Sequence, residues 1–397
     1  MAPNNIVVAG AGIGGLTAAL ALAQAGFHVT VLERAGAIEE VGAGVQLAAN
    51  ATRCLQALGV YERVRAHAVI PTGFAVMDGR RGSILTSAPM GEAAEKRFGG
   101  PFLVIHRADL QAALAAAARE VPAIDIRLGR TVDGFSALFN GIAVQAERQD
   151  GAEGEESESI HARALIGADG LRSAVRAVLH PGVRPSFRHR AAWRATIPAS
   201  ALPSRLADAV TRLWLGPGAH LVSYPVKAGT AINLVAVTPD ERQVHGWGLA
   251  AAPEELLAHY GGWSADALTL LRAPDSWLRW ALFDLDPLPA WGAGPVTLLG
   301  DAAHAMPPFL AQGAAQAIED AVVLAGCLKG ASDIPAALRQ YEALRQPRTA
   351  RVQTAARGMD RIYHLSGPAR LARDVVMRAR SGDAVLERYR WIYDWRA

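Results

Sequence analysis

Residues 5–33 read NIVVAGAGIGGLTAALALAQAGFHVTVLE, and the order of residue types in this stretch decides the fold. A short apolar run comes first, a glycine-rich turn follows, and an alanine-rich segment then leads into a second apolar run. Strand, helix and strand alternating at this spacing are typical of a βαβ unit with a parallel sheet. Gly26, directly after the alanine-rich segment, is expected to end the helix.

The turn before the helix contains Gly10, Gly12 and Gly15 in a GxGxxG pattern. The first glycine of such a pattern permits a tight turn, the second lets the backbone approach a pyrophosphate, and the third allows close packing of helix on strand. Glu33 ends the second strand, where its carboxylate can accept hydrogen bonds from both hydroxyls of a ribose. The pattern predicts a dinucleotide site. It leaves FAD and NAD open and disfavours NADP, because Glu33 would repel a 2′-phosphate.

Composition excludes several classes of protein. The 397 residues exceed one average domain, and 51% hydrophobic with 19% charged residues is ordinary for a soluble globular protein. The net charge is +3, but the arginines are scattered among acidic residues, so we expect no nucleic-acid partner. Cys54 and Cys327 are isolated, which indicates no metal site and fits a reducing compartment. Neither a signal peptide nor a membrane span is expected, and the predicted location is cytoplasmic.

The character of the chain changes twice. From about Pro181 to Phe283 it has short β-type runs, Pro/Gly turns and most of the tryptophans, which indicates a second, sheet-rich domain. The polar, acidic segment 147–159 is most simply the solvated tip of a hairpin. The α/β character returns near Gly294, and from Ala314 onward the pattern is largely helical. This order indicates a nucleotide-binding domain into which a substrate domain is inserted.

Residues 298–321, LLGDAAHAMPPFLAQGAAQAIEDA, place a carboxylate in an unusual cluster of turn residues. A cofactor with a long polyol between its phosphates and its reactive ring needs a second anchor far from the first glycine turn. Asp301 can accept hydrogen bonds from ribityl hydroxyls, and a helix beginning near Gly313-Ala314 can offer N–H groups to a flavin carbonyl that turns negative on reduction. The alternative is that Asp301 only caps a helix and the prolines only shape a loop, and the residues alone leave both open.

Three separated motifs make the chain resemble the single-component FAD-dependent aromatic hydroxylases. They are GAGIGGLTAALALAQAG…VLER near the start, GADGLRSAVR at 167–176, and the stretch at 298–321. GAGVQL at 42–47 and HRADL at 106–110 fit the same family. The order and spacing of these motifs are highly specific, and the resemblance covers essentially the whole chain.

The resemblance implies an α/β fold, with a Rossmann-like FAD-binding domain of the three-layer ββα type, an inserted β-sheet substrate domain and a helical C-terminus. FAD would be bound non-covalently. We expect the FAD-binding domain to comprise 1–70, 101–180 and, with the C-terminal helices, 285–397. Residues 71–100 would contribute strands to the substrate domain, which would otherwise span 181–284.

The resemblance also implies roles for single residues around FAD. The adenosine half would be held by Gly10, Gly12, Gly15, Glu33 and Arg34. Arg107 would contact the pyrophosphate and the ribityl chain, Asp301 would contact the ribityl chain, and Asp169 would serve both FAD and a visiting nicotinamide cofactor. The residues beside the isoalloxazine would be Pro308, Gly313 and Ala314. Relatives often have Pro where this chain has Ala305 and a bulky residue where it has Pro307, so the shape of this loop is open.

The reaction implied by the family uses NADH or NADPH and O₂. Because no second GxGxxG with its own βαβ context occurs, the nicotinamide cofactor would dock transiently, reduce the flavin and leave. In the family the reduced flavin captures O₂ as a C4a-hydroperoxide and transfers one oxygen to an electron-rich, usually phenolic, aromatic substrate. Water must be kept from that intermediate, which favours a dry, closed pocket.

A phenolic substrate calls for a base, and His220 in WLGPGAHLVSYPV is the candidate. Tyr224 follows four positions later on an apparent strand, so both side chains point to one face. Hydroxylases acting on salicylate, 3-hydroxybenzoate or 6-hydroxynicotinate carry a matching His-x₃-[Tyr/Phe]-Pro segment, which supports a catalytic pair. The alternative is that the histidine is a hydrogen-bonded wall residue. A histidine pKa of about 6.5 and a phenol pKa of about 10 favour partial proton transfer as the C–O bond forms.

Other polar residues are candidates for substrate contacts. Gln46, Tyr224 and Gln312 are expected in the pocket, and His304 is a further candidate donor or a backbone-bonding residue. For a substrate carboxylate the cations are Arg188, Arg190 and Arg194, although a structural or nicotinamide-docking role for all three is the simpler interpretation.

Two other functions compete with hydroxylation. A flavin-dependent halogenase would need W-x-W-x-I-P and a catalytic Lys, but this chain has WRATIP with Ala195 at the second Trp position. A flavin-binding redox module without hydroxylation remains the main alternative. The ring, the regiochemistry, the choice of NADH or NADPH, and whether the protein is a monomer or homodimer stay open.

Overall fold

The fold is known from a computed structural model, which describes residues 4–38, 43–148, 158–242, 248–380 and 382–397. The strands are β1 Asn5–Ala9, β2 His28–Glu33, β3 Gly44–Leu47, β4 Gly73–Asp78, β5 Ile84–Pro89, β6 Leu103–His106, β7 Ile124–Leu128, β8 Arg130–Leu138, β9 Gly141–Arg148, β10 Glu158–Ala162, β11 Ala164–Gly167, β12 Ser186–Pro198, β13 Val210–Leu215, β14 His220–Val226, β15 Ala231–Pro239, β16 Leu249–Ala251, β17 Trp277–Asp284 and β18 Val296–Leu298. The helices are α1 Ile13–Gln24, α2 Ala49–Ala57, α3 Tyr61–Arg65, α4 Glu92–Phe98, α5 Arg107–Arg119, α6 Ala174–Leu179, α7 Pro253–Leu257, α8 Ala265–Arg272, α9 Asp301–His304, α10 Gly313–Leu328, α11 Ile334–Tyr363, α12 Gly367–Arg378, α13 Gly382–Arg388 and α14 Arg390–Tyr393.

The first βαβ unit is confirmed, and it forms the centre of a parallel sheet with the order β18-β11-β1-β2-β7. Gly26 adopts a positive φ of 93° just after α1, as expected for a residue that ends a helix. Both faces of the sheet are covered, because α1 packs with α5 and α10 on one side and the antiparallel strands β8, β9 and β10 lie on the other. The expected three-layer ββα arrangement is therefore present.

The strand order explains how distant motifs meet. In a parallel sheet the carboxyl ends of neighbouring strands share one edge, and ligands bind in the crevice outside that edge. Strands β1, β11 and β18 are neighbours, so the turns that follow them at Gly10, Asp169 and Asp301 lie side by side. The expected hairpin is seen as β9 paired with β10, and the part of its tip at 149–157 lies outside the described residues.

A second, large sheet has the order β16-β17-β12-β15-β14-β13-β4-β5. One face carries a core of tryptophans, Trp193, Trp214 and Trp277, packed against residues of α7 and α8. His220 and Tyr224 project from the opposite face, where side chains of β14 meet residues of β6 and α11. Strands β4 and β5 come from the segment 71–100, and the exact domain boundaries stay predictions.

The C-terminal part is helical, as expected. Helix α11 packs along α10 and then passes beside the large sheet, while α12 and α13 pack against β5. None of the helices among the described residues combines the length and apolarity needed to cross a membrane.

Candidate active site

The glycine turn has the shape that the pattern predicts. Gly10 has φ +101°, and a Cβ there would lie 2.6 Å from the carbonyl oxygen of Ala168. A Cβ on Gly15 would lie 1.9 Å from the carbonyl oxygen of Gly10, so only glycine lets α1 approach the turn this closely. A Cβ on Gly12 would meet no atom within 4 Å, because this backbone faces open space at the N-terminus of α1. That opening is where a phosphate can reach free N–H groups.

Glu33 lies beside this turn. Its Oε2 accepts a hydrogen bond from the backbone N–H of Ala11 at 2.7 Å, and its Oε1 accepts one from Ala35 at 3.0 Å. Each carboxylate oxygen keeps a lone pair that can accept from a ribose hydroxyl. Arg34 is exposed next to it. The side chain of Gln111 also supports the turn by donating to the carbonyl of Ala11 at 2.9 Å, which the sequence did not reveal.

The turn after β11 is held by Asp169 itself. Its Oδ2 accepts hydrogen bonds from the backbone N–H groups of Ala174 at 2.7 Å and Val175 at 3.2 Å, so the carboxylate caps α6. Burial raises the pKa of Asp169. Arg176 joins this turn to the next one along the sheet edge, because it donates to the carbonyls of Leu171 at 2.5 Å and Ala302 at 2.9 Å.

The turn after β18 presents Asp301 to an opening. Gly300 has φ +63° and starts the turn, and its N–H donates to Asp320 at 3.0 Å. The carboxylate of Asp301 is exposed and makes no hydrogen bond within the described chain. Its Oδ1 is the nearest atom, at 3.9 Å, to a Cβ placed on Gly313. The acid and the N-terminus of α10 therefore face the same space, which fits a ligand that links them.

The residues predicted beside a flavin ring line this opening to different degrees. Pro308 is exposed in a 3-10 turn, and Gly313 and Ala314 are half-buried at the start of α10. Arg107 is half-buried at the start of α5, and its backbone N–H donates to the carbonyl of Ala43 at 3.0 Å. The loop that contains Ala305 and Pro307 ends, after the 3-10 turn, in a residue with left-handed backbone, since Ala311 has φ +51°.

Tyr224 closes the space between the large sheet and β3. A Cβ on Gly44 would lie 2.4 Å from the Cε2 atom of Tyr224, so the ring packs directly on this glycine. Asn233, which the sequence analysis missed, accepts a hydrogen bond from the N–H of Gly44 at 2.6 Å. Burial raises the pKa of Tyr224. Gln46 lies two residues further along β3 and is half-buried.

His220 is buried at the other end of the same face. Its Nδ1 lies 2.8 Å from Nε2 of His364, and its ring contacts Phe309 and Tyr363, with centroids 5.6 Å and 5.4 Å away. Phe309 belongs to the 3-10 turn that begins at Pro308, so His220 faces the loop predicted to cover the flavin ring. Burial, and then the neighbouring His364 and Arg190, lower the pKa of His220 well below its usual value.

Gln312 is buried as the residue before α10. Its Oε1 accepts a hydrogen bond from Asn50 at 3.1 Å, and the same Asn50 amide donates to Glu319 at 2.6 Å. With its oxygen occupied in this way, the amide group of Gln312 has N–H donors to offer to a ligand. Asn50, like Gln111 and Asn233, is a polar residue whose part in the site could not be seen in the sequence.

The remaining candidates are three arginines of β12 and His304. Arg188 lies 3.6 Å from Asp284, and Arg190 donates to Asp360 at 3.0 Å, which is the structural role considered for them. Arg194 stacks on Trp280 at 4.4 Å. In the sheet register Arg194 lies opposite Val235, and Val235 lies opposite Val222 on β14. Val222 lies between His220 and Tyr224 on one face of β14, so Arg194 shares that face, which is turned away from the tryptophan core. His304 points into the interior, where its Nε2 lies 2.6 Å from Asp320.

Residues 4–356 match the family described as FAD binding domain. The chain belongs to this family. It is 38% identical over 395 residues to a 3-hydroxybenzoate 6-hydroxylase of Polaromonas naphthalenivorans (strain CJ2), covering 98% of this chain and 96% of that one. It is 37% identical over 393 residues to a 3-amino-4-hydroxybenzoate 2-monooxygenase of Streptomyces cremeus, covering 98% and 94%.

Solved structures agree with these relatives. A salicylate hydroxylase in a substrate complex superimposes with a TM-score of 0.82 at 29% identity, covering all of this chain and 96% of that chain. HpxO of Klebsiella pneumoniae, complexed with FAD and uric acid, gives a TM-score of 0.84 at 27% identity, covering 96% and 95%. The predicted fold class, the FAD cofactor and the flavoprotein monooxygenase class of aromatic hydroxylases are therefore confirmed.

The residues present fit FAD. The open backbone at Gly12 suits a pyrophosphate, and the carboxylate of Glu33 suits a ribose. The exposed, unbonded carboxylate of Asp301 beside the N-terminus of α10 suits the ribityl chain and the ring, within the part of the chain that the structure describes. These individual roles remain predictions.

Proposed function

We propose that this protein hydroxylates the ring of a hydroxylated benzoate, with NADH or NADPH as the reductant and O₂ as the oxidant, and that 3-hydroxybenzoate is its first candidate substrate. The observation that carries the proposal is His220. Its Nδ1 is occupied by His364 while its Nε2 makes no hydrogen bond within the described chain, and the ring lies beside Phe309 in the loop predicted to cover the flavin. The relatives named 3-hydroxybenzoate 6-hydroxylase support the substrate class.

FAD would be held by the glycine turn, by Glu33 on the adenosine ribose and by Asp301 on the ribityl chain. When bound and reduced, FAD would supply the electrons that activate O₂, from which one oxygen atom is transferred to the substrate. The N–H groups at the start of α10 would stabilise negative charge on the reduced ring, because a helix N-terminus carries a partial positive charge.

His220 would accept the phenolic proton of the substrate at Nε2, which makes the ring more electron-rich as the new C–O bond forms. Gln312 would donate its amide N–H to an oxygen of the substrate. Tyr224, packed on Gly44, would close the pocket on the opposite side and keep water out. Arg194, on the same sheet face, is the cation best placed to receive a substrate carboxylate.

A substrate panel tests the proposal. The FAD-loaded protein is mixed with NADH or NADPH and with 3-hydroxybenzoate, salicylate, 3-amino-4-hydroxybenzoate or 6-hydroxynicotinate, and unsubstituted benzoate serves as the control. We expect one phenolic acid to stimulate NAD(P)H oxidation and to give hydroxylated product in near-equal amount. Oxidation that yields only peroxide with every compound would contradict the proposal, and a purified protein that takes up no FAD would contradict the cofactor assignment as well.

The variant His220→Ala separates an enzyme from a flavin-binding redox module. Removal of a positioned base lowers a rate by about 10²- to 10⁴-fold, so product formation should fall by that factor while the flavin absorbance and its reduction by NAD(P)H persist. His259→Gln, on an exposed residue, is the control and should behave like the wild type. Unchanged product formation in His220→Ala would remove this histidine from the chemistry.

Gly12→Ala tests the pyrophosphate contact. The added Cβ meets no protein atom within 4 Å, so the fold should tolerate it, but the methyl group occupies the space in front of the α1 N-terminus. We expect an unchanged melting temperature of the FAD-free protein and weaker FAD binding, measured by flavin fluorescence. Equal FAD affinity in variant and wild type would place the phosphates elsewhere. The cytoplasmic location and the oligomeric state remain predictions.

A further inference from the structure

A chain of hydrogen bonds leads from the proposed substrate pocket towards the protein surface. Nδ1 of His220 lies 2.8 Å from Nε2 of His364, and Nδ1 of His364 lies 2.8 Å from Oδ1 of Asp360. Arg190 ends the chain by donating to Asp360 at 3.0 Å and to the carbonyl of Gly218 at 3.0 Å. The hydroxylation proposed above uses only the first residue of this chain.

The acceptors at Asp360 determine which nitrogen of each ring carries a proton. Nδ1 of His364 faces two acceptors, the Oδ1 and the backbone carbonyl oxygen of Asp360, both at 2.8 Å, so this nitrogen must be the N–H donor. Burial lowers the pKa of His364, which keeps the ring neutral and leaves its Nε2 bare. His220 must then donate its Nδ1–H to that nitrogen, and its own Nε2 is the bare atom. The chain thus prepares His220 as a base.

Exposure increases along the chain. As whole residues His220 is 3% and His364 9% exposed, and the side chain of Asp360 is 22% exposed. Burial raises the pKa of Asp360, but the hydrogen bond from His364 and the charge of Arg190 outweigh it and lower the pKa overall. Asp360 is therefore a carboxylate in contact with solvent at one end of a buried path.

We propose that His364 and Asp360 form a proton relay that carries the substrate's phenolic proton from His220 to solvent. This inference rests on the hydroxylation proposed above. The phenolic O–H gives its proton to Nε2 of His220, while Nδ1–H of His220 passes to Nε2 of His364. Nδ1–H of His364 passes to Oδ1 of Asp360, which releases a proton to water. One proton enters and one leaves, no electron moves, and each ring ends neutral.

The relay solves an energetic problem. A phenol with a pKa of about 10 is a much weaker acid than a histidinium with a pKa of about 6.5, and burial lowers the pKa of His220 further. A stable His220 cation is therefore a poor store for the proton. Because the relay delivers the proton to water, the extent of phenolate formation depends on the phenol and on the solution pH instead.

The other polar groups around the two rings are already engaged. Tyr260 donates its hydroxyl to the carbonyl of His220 at 2.8 Å, and Tyr363 donates to the carbonyl of Phe309 at 3.0 Å. Of the charged groups on neighbouring elements, Arg190 donates to Asp360, and Arg373 is bonded to Asp374 and to the carbonyls of Ile362 and Tyr363. Within the described residues, Asp360 is the carboxylate that receives a hydrogen bond from this pair of rings.

The test is His364→Gln in the FAD-loaded enzyme. The amide oxygen of Gln can accept the Nδ1–H of His220 and keep its tautomer, but an amide cannot pass a proton on. We expect flavin reduction by NAD(P)H and substrate affinity to stay within about twofold of the wild type. Product formed per reduced enzyme in a single turnover with O₂ should fall at least about tenfold at pH 7, with peroxide formed instead. His259→Gln is the matched surface control.

A rescue distinguishes a relay from a structural role. Raising the pH, or using a ring-fluorinated hydroxybenzoate that ionises more readily, supplies the substrate already as phenolate, so product formation in His364→Gln should recover. A packing defect would not recover in this way. Asp360→Asn, at the more exposed end, should show the same loss and the same recovery, and it serves if the glutamine variant folds poorly.

The outcomes separate the two proposals. Wild-type product formation in both variants would overturn the relay and leave the hydroxylase intact, and so would a loss that neither high pH nor the fluorinated substrate restores. No coupled product from the wild type with any phenolic acid would overturn the hydroxylase and the relay together.

Discussion

Two histidine–aspartate pairs among the described residues differ in where they lead. His304 lies 2.6 Å from Asp320 under the flavin-binding turn, and His364 lies 2.8 Å from Asp360 beside the large sheet. Asp320 is fully buried, and Nδ1 of His304 finds no partner within the described residues. The second pair reaches His220 at one end and solvent at the other. We call His304–Asp320 the closed pair, because the described residues give it no path to solvent, and His364–Asp360 the open pair. The closed pair can only stabilise the structure, whereas the open pair can also transfer a proton.

The closed pair belongs to a larger buried network. Arg345 bonds Asp320 at 2.6 Å and Glu319 at 2.5 Å, and all three side chains are almost completely buried. Asp320 also accepts the N–H of Gly300, and Glu319 accepts from Asn50, which in turn holds Gln312. The network therefore fixes the turn before Asp301 and the start of α10, the two features predicted to meet the flavin.

The largest expected effect comes from breaking the closed network at its cation. Arg345→Met removes the cation shared by the buried carboxylates of Asp320 and Glu319, although Arg348 still bonds Glu319. Loss of one member of such a network costs about 3–5 kcal/mol. Urea unfolding followed by circular dichroism should show this loss. Arg361→Met, exposed on the same helix, is the control. A loss of stability no larger than that of the control would show that solvent reaches the network.

Acid should affect the closed pair in a defined pH window. Burial raises the pKa of Asp320, but His304 and Arg345 outweigh it and lower the pKa to about 2. A carboxyl whose pKa is lower in the folded than in the unfolded state stabilises the fold above its unfolded pKa, and this contribution, about 2–3 kcal/mol, is lost as the pH falls from about 4 to 2.

Asp320→Asn removes this titration, so its free energy of unfolding should depend less on pH in that window, measured by urea unfolding at several pH values. Asp360→Asn is the comparison, because that carboxylate is partly exposed and solvent weakens its interactions. Equal pH dependence in Asp320→Asn and the wild type would show that Asp320 does not carry the effect.

The smallest expected effect is that of a conservative substitution of His304, which compares the two histidine–aspartate pairs directly. His304→Gln can still donate to Asp320 and should cost only about 1 kcal/mol of stability, with an unchanged ratio of product to peroxide. The same substitution at His364 should change that ratio. The comparison uses the melting temperature and the product yield of both variants. If His304→Gln also formed peroxide in place of product, the proposed difference in function between the two histidine–aspartate pairs would be wrong.

Much of the flavin-binding half could be predicted, because its signals are local. Gly10, Gly15 and Glu33 act within a single βα unit, and their contacts form between residues close in sequence or on adjacent strands. Asp301 is predicted as the second anchor of a long cofactor, and the parallel sheet places its turn at the same edge as the first glycine turn. Backbone geometry at a turn requires particular residue types, so such a turn can be predicted from the sequence.

The polar residues that complete the site were harder to see. Asn50 makes two long-range side-chain hydrogen bonds, and Asn233 and Gln111 make one each, but nothing near these residues in the sequence indicates a partner. Asp360 lies near the end of α11 and His364 directly follows this helix, four residues later, a spacing that brings two side chains to one side of a helix. That local pair could have been noticed, but its connection to the pocket could not.

The βαβ unit, the glycine turn, the acid at the end of β2 and a histidine and tyrosine on one face of a strand can be read from the residues alone, because they follow from backbone geometry and side-chain periodicity. The contact of His220 with His364, 144 residues away, and the support of Asp360 by Arg190 depend on how the elements pack together. The reason is physical: α11 and the large sheet are joined by packing, and packing obeys the shape and burial of whole elements rather than any pattern within one of them.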